Sequence, residues 1–237
     1  MRPAGPGRRE RHAADSLNGN LLVPFYREFI DAHPDVLLEL HTSMSPDINR
    51  EVEERAADVG LTFSLEHYPT IAARELFRDR WVVLCRRDHP FVSSADPNDL
   101  AGEAEVLMRY PAEYQTWHRH YFARFAHPKI IVSNASQLGA FLDTLGSWCI
   151  APQSVCRPLV EKGSDLMICH LAEEPPVRIA RIIIHRHLPE EKRRLVELFE
   201  RELRAYIERM RTRPPAGGNP AGGRSAVRIK FEERRLP

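Results

Sequence analysis

The chain has 237 residues, with 34 Lys plus Arg against 33 Asp plus Glu and a formal net charge of +1. At roughly 100–200 residues per domain it holds one large domain or two small ones, and the balanced charge argues against a dominant polyanion-binding surface, though not against a local patch. A composition of 43% hydrophobic and 28% charged residues is that of a globular chain rather than a disordered one, and no apolar run approaches the ~18 residues of a membrane helix.

Met1–Glu10 is basic and rich in Pro and Gly, and no apolar stretch of the signal-peptide kind follows it. A cytoplasmic chain is therefore expected. Residues 1–14 are expected to be disordered or aberrant. Asn18-Gly19-Asn20 precedes LLVPFYREFIDAH, where Leu21, Leu22, Phe25, Phe29 and Ile30 share one helical face. Pro24 sits in the first turns, where proline is tolerated. His33-Pro34-Asp35 breaks the helix, and VLLELHT alternates as a strand. Ser45-Pro46-Asp47 then starts a helix, with Ser45 as N-cap, Pro46 at the first position and Asp47 near the positive end of the dipole. Asp58–Phe63 is a second strand. This βαβ alternation predicts an α/β fold with a largely parallel sheet.

Arg80–Cys85 reads as a third strand and 86–104 as a loop. Val106–Met108 is a strand, Trp117–Phe125 a helix and Ile130–Ser133 a strand. QLGAFLDTL is a helix, opened by Ser133–Ser136 and ended by Gly146. SWCIAP is a strand, Gln153–Glu161 a helix, and LMICHL and RIARIIIH are strands. Pro189–Met210 is a long helix with Leu195, Leu198, Phe199, Leu203 and Ile207 in one stripe. Its Lys192-Arg193-Arg194 run is read as the wet face. Residues 211–225 are rich in Pro, Gly and Arg. Val227, Ile229 and Phe231 alternate with Arg228 and Lys230, but the pattern is isolated. The whole of 211–237 is assigned to a disordered tail.

Little here points to chemistry. The four cysteines, Cys85, Cys149, Cys156 and Cys169, form no C-x-x-C pair and read as free buried thiols. Cys149, Cys156, Cys169 and His170 match no common zinc spacing. His118 and His120 fall on different helix faces, whereas His185 and His187 share a strand face. No G-x-S-x-G, H-E-x-x-H or P-loop motif occurs. No catalytic residue, metal or cofactor is assigned.

The order of segments resembles the C-terminal effector-binding domain of LysR-type transcriptional regulators. The resemblance rests on LLVPFYREF, HPDVLLEL, SPDINREVEERA, ADVGLTF, WVVLCRRDHPF, DLAGEAEVLMRY, TLGSWCIAPQSV and the ending RIARIIIHRHLPEEKRRLVELFERELRAYI. It implies two Rossmann-like lobes facing across a cleft, a fold like type 2 periplasmic binding proteins. Lobe one would be 15–84 with 184–210, and lobe two 85–183. The crossings would lie near Val83–Arg87 and Ile182–His185. Two features depart from the family. Its winged helix-turn-helix and linker helix do not precede the domain, and Arg8–His12 stands where an apolar first strand belongs. Either the chain is a truncated or frame-altered product, which would account for both, or lobe one lacks an interior strand.

In such domains hydroxyls and amides at helix starts hold the effector, because those amides are unpaired and the dipole is positive there. The resemblance offers Ser16 and Asn18 at the first helix, Ser45 at the second, and Asn134 with Ser136 in lobe two. Each also fits a plain helix cap. Arg109, at a strand end, suits a carboxylate or phosphate. Asp47 would have to turn to solvent for an anion to bind beside Ser45. Trp148, where the family shows a small residue, would narrow the cleft or pack in the core.

The expected function is that of a non-enzymatic effector sensor. It would bind a small anionic metabolite, assemble as a homodimer or tetramer, and meet DNA only through a helix-turn-helix absent from this chain. The alternatives are a stand-alone solute-binding protein and a two-lobe enzyme such as a dehydratase.

Overall fold

The computed structural model describes residues 21–43, 45–89, 94–125, 127–132, 135–142, 146–161, 165–212 and 226–233. Helix α1 (Val23–Ala32) leads to β1 (Val36–Ser43), α2 (Ser45–Glu53), β2 (Val59–Thr62), β3 (Ile71–Asp79) and β4 (Trp81–Arg86). Then come β5 (Ser94–Ala95), β6 (Val106–Met108), α3 (Ala112–Phe122), β7 (Ile130–Val132), the short α4 (Leu138–Phe141) and β8 (Trp148–Pro152). The chain continues through α5 (Gln153–Glu161), β9 (Leu166–Leu171), β10 (Arg178–His185), α6 (Glu190–Thr212) and β11 (Ala226–Glu233).

The first sheet has the order β1-β11-β2-β10-β3, and every neighbouring pair in it is antiparallel. The largely parallel sheet expected from the βαβ pattern is therefore not what forms. β1, β2 and β3 do run the same way, but β11 and β10, both from later in the chain, separate them. β11 also corrects the expectation of a disordered tail, since residues 226–233 form an interior strand. They pair with β1 along its full length, Val36↔Glu233 to Ser43↔Ala226, and with β2 from Val227↔Leu61 to Ile229↔Val59. Ile229 is fully buried beside Leu21, Phe25 and Phe199. Burial of one such side chain stabilises by about 1.5–3 kcal/mol.

Amphipathic α1 and α6 cover one face of this sheet. Phe25 meets Phe199 edge-on at 5.1 Å between centroids, and Tyr206 donates its hydroxyl to the Leu21 carbonyl at 3.1 Å. Helix α2 covers the other face through Ile48 and Val52. Gly60 lets it approach closely, for a Cβ there would lie 2.6 Å from Ile48 Cγ2 and 2.7 Å from Ile183 Cγ1. Arg55, at φ 58°, turns the chain out of α2 soon after Glu53. Lys192 does more than face water, because its ammonium sits 2.7 Å from the buried Asp58 carboxylate.

The second sheet has the order β5-β9-β4-β8. A parallel bridge between Glu105 and Trp148 adds the parallel pair β6-β7 beside β8. Its core holds Trp81, Tyr110, Trp148 and all four cysteines, which are free thiols. Trp148 is a core residue, its indole N–H donating to the Ala101 carbonyl at 3.1 Å. Helix α3 starts earlier than expected, at Ala112, and buries Tyr114 and Phe122.

The chain leaves the first sheet between Asp79 and Trp81 and returns between Leu171 and Arg178. Both crossings precede their expected positions. Val82, Val83 and Leu84 already pack in the second core, and Ile182 and Ile183 belong to the first sheet. The lobe limits of 84 and 184 taken from the sequence shift accordingly. No helix among the described residues is long and apolar enough to cross a membrane.

Candidate functional site

Strand direction decides what faces what. β1, β2 and β3 all end at the edge from which β3 passes directly into β4. β8 and β9 run against β4, and β6 and β7 run with β8, so they end at the facing edge. Carboxyl ends of strands from two sheets thus oppose each other, where open α/β folds bind ligands.

Arg178, the first residue of β10, sits between these edges. Its guanidinium carbon lies 3.7 Å from the ring centre of Phe63, beyond β2, and 5.7 Å from that of Tyr110, beyond β6. Trp81 is 5.8 Å away on the crossing itself. Asp79 faces Arg178 in the β3–β10 register, with 3.5 Å between Oδ2 and Nη1. The same carboxylate caps α5, accepting from the Ser154 amide at 3.1 Å and the Ser154 hydroxyl at 2.6 Å. Burial pushes the Asp79 carboxyl above its ordinary range, opposed by the Arg178 charge and the two Ser154 hydrogen bonds. Burial pushes Arg178 down, opposed by Asp79. One ion pair therefore ties together both crossings and the start of α5.

Of the sequence-predicted site residues, Ser45 is the first residue of α2, one position inside the cap assigned to it. The buried Asn49 side chain donates to the Ser45 carbonyl at 2.7 Å and the Ser64 carbonyl at 3.1 Å, and accepts from the Glu66 amide at 3.2 Å. It pins the first turn of α2 to the loop after β2. Asp47, in the first turn of α2, forms an exposed ion pair with Arg50 at 2.8 Å. Arg109 is exposed just past β6, on the facing edge. Ser16, Asn18 and Asn134 lie outside the described residues. Ser136 is in a short 3-10 turn, Ala135–Gln137, and its side chain is outside the described set.

Asp79, Arg178 and Asn49 were not found by reading the sequence. The available signal was an acid just before the apolar run from Trp81 and a base just before the one from Ile179, an opposite-charge pair at the two crossings. A second buried pair, Glu105–His118, lies deeper in the second lobe, with His118 Nε2 at 2.8 and 2.9 Å from the two carboxylate oxygens. Burial raises the Glu105 carboxyl, against the pull of His118. Among the described residues no cluster of His, Cys, Asp and Glu is arranged to hold a metal.

The LysR substrate binding domain family model matches residues 12–206. Among solved structures, the chain is similar to the Synechocystis PCC6803 CcmR regulatory domain in complex with 2-PG, at 17% identity and TM-score 0.62, covering 79% of this chain and 92% of that one. The C-terminal domain of a probable LysR family regulator from Rhodococcus sp. RHA1 matches at 18% identity and TM-score 0.62, covering 78% and 94%. The MetR regulatory domain from N. meningitidis matches at 16% and 0.59, covering 90% and 92%. No curated protein sequence matches the chain. The chain belongs to the LysR substrate binding domain family, the effector-sensing regulatory part of LysR-type transcription regulators.

Proposed function

We propose that this domain senses a small organic anion bound between the two opposed strand-end edges. The observation that carries the reading is Arg178, held between Phe63 and Tyr110 where the edges meet. Among the described residues two crossings connect the sheets there, so a bound molecule that contacts both edges changes the balance between their relative placements. In this reading lobe one is 21–79, 178–212 and 226–233, and lobe two is 81–171. The anion meets Ser45 and the first amides of α2 on one side and Arg109 on the other, with Ser16, Asn18, Asn134 and Ser136 as further contacts. The domain performs no reaction. It works in the cytoplasm as a homodimer or tetramer, and its lobe motion repositions a helix-turn-helix head that contacts DNA.

The test is calorimetric titration of the full chain with a panel of small organic anions that includes 2-PG, the molecule in the Synechocystis structure. For any anion that binds, Ser45→Ala weakens affinity by roughly 5–30-fold, through one lost hydrogen bond to a charged group. Thermal melts without ligand separate this from a capping loss of up to about 1 kcal/mol. A variant that melts lower yet binds equally well makes Ser45 a cap only.

A further inference from the structure

A groove of about 270 Å³ opens beside the crossings, on the α1–α6 side of the first sheet. Leu21, Phe77, Ile207 and Met210 supply its apolar surface from the first lobe. Gln153, Ser154 and Arg157 enter from α5 of the second lobe. Four arginines line it, Arg78, Arg80, Arg157 and Arg211, against one carboxylate, Asp79. That carboxylate is already engaged by Ser154 and Arg178.

The arginines are not equivalent. Arg78 pairs with Glu75, Arg80 with Glu174 and Arg211 with Glu208. Arg157 is half-buried, and its partner among the described residues is the neutral Met210 carbonyl at 3.1 Å. That bond uses one of the five guanidinium N–H groups. The rest carry a charge that no carboxylate balances within the described structure. A half-buried cation beside apolar side chains suits a ligand with a carboxylate at one end and an apolar body at the other. The volume lies just below the usual range for ligand pockets, which suits a single or fused aromatic acid.

We propose that this groove is a second ligand site, separate from Ser45 and Arg109, for a small apolar carboxylic acid. The carboxylate meets Arg157, and the body rests on Phe77 and Met210. Its walls come from both lobes, so the acid stabilises the placement of α5 against the end of α6.

The experiment titrates the full chain with 2-naphthoate and octanoate, with inorganic phosphate and 2-naphthalenemethanol as charge-only and apolar-only probes. One acid binds per chain, and both control probes bind at least tenfold more weakly. Arg157→Gln weakens the acid about tenfold, as one charge-assisted hydrogen bond is lost. Arg157→Lys, which keeps the cation, retains most of the affinity, and Met210→Glu weakens binding by putting a carboxylate on the apolar wall. Ser45→Ala and Arg109→Gln leave the acid's affinity unchanged, and melts of every variant confirm the fold. The proposal is overturned if neither acid binds, if Arg157→Gln binds as tightly as wild type, or if phosphate binds as well as the acids. An equal loss in Ser45→Ala would put the acid in the cleft and overturn it too, while leaving the cleft reading intact.

Discussion

Asp79 and Arg178 face each other across β3 and β10 at the point where both crossings leave the first sheet, and both are buried. Removing one partner of a buried ion pair leaves the other charge uncompensated, at on the order of 3–5 kcal/mol. Asp79→Ala should therefore destabilise by about that amount, and Arg178→Met likewise. The double variant should lose less than the sum, with a coupling of about 1 kcal/mol or more. Urea melts of all four proteins measure this. Additivity within about 0.5 kcal/mol would mean the pair is not a unit.

Glu105 sets a pH dependence. Its carboxyl is raised above the ordinary value of 4.5, first by burial and against the pull of His118. A group raised in the folded state supports folding below its unfolded value and withdraws that support as pH climbs through the folded one. Glu105→Gln removes this titration. The stability of the variant relative to wild type should rise from pH 4 upward and level off once wild-type Glu105 is ionised. Thermal melts from pH 4 to 8 read the difference, and a flat difference would contradict the assignment.

Among the described residues, β1 has β11 as its one sheet neighbour. Ile229→Ala, at a fully buried position, should destabilise by about 2–5 kcal/mol. Ending the chain after Thr212 should do more than lower the melting point. Amides of Val36–Ser43 should lose hydrogen-exchange protection, while Trp81–Arg86 stays protected in the second sheet. Unchanged protection in β1 would mean that β11 does not hold it.

Local pattern made α6, β4 and α5 readable. The Leu195–Ile207 stripe and the Trp81–Cys85 run are continuous, and each element buries one contiguous surface. β3 escaped notice because Ile71–Asp79 is an edge strand, largely exposed between its ends and built of Ala, Arg, Glu and Leu, which favour helices. β11 escaped because its partners lie far away in the chain, and nothing local distinguishes an interior strand from a frayed alternating tail. For the site, Ser45-Pro46-Asp47 announced a helix start and little else. Asp79 and Arg178 look like ordinary charges until the fold buries them together. Asn49 reads as a solvent-facing helical residue until the loop after β2 closes over it.

The late origin of β11 has a consequence for biosynthesis. Its register with β1 joins residues about 190 positions apart, as in Leu40↔Ile229. At about 5–20 residues per second, roughly 10–40 s separate the emergence of these two strands from the ribosome. Within that interval the second lobe, 81–171, can complete its own core once Leu171 has emerged, whereas β1 and the β11 side of β2 still present unpaired edges. Such edges are templates for pairing with other chains. The nascent protein is most vulnerable to aggregation at that stage, and slowed translation beyond residue 43 should lengthen its need for a chaperone.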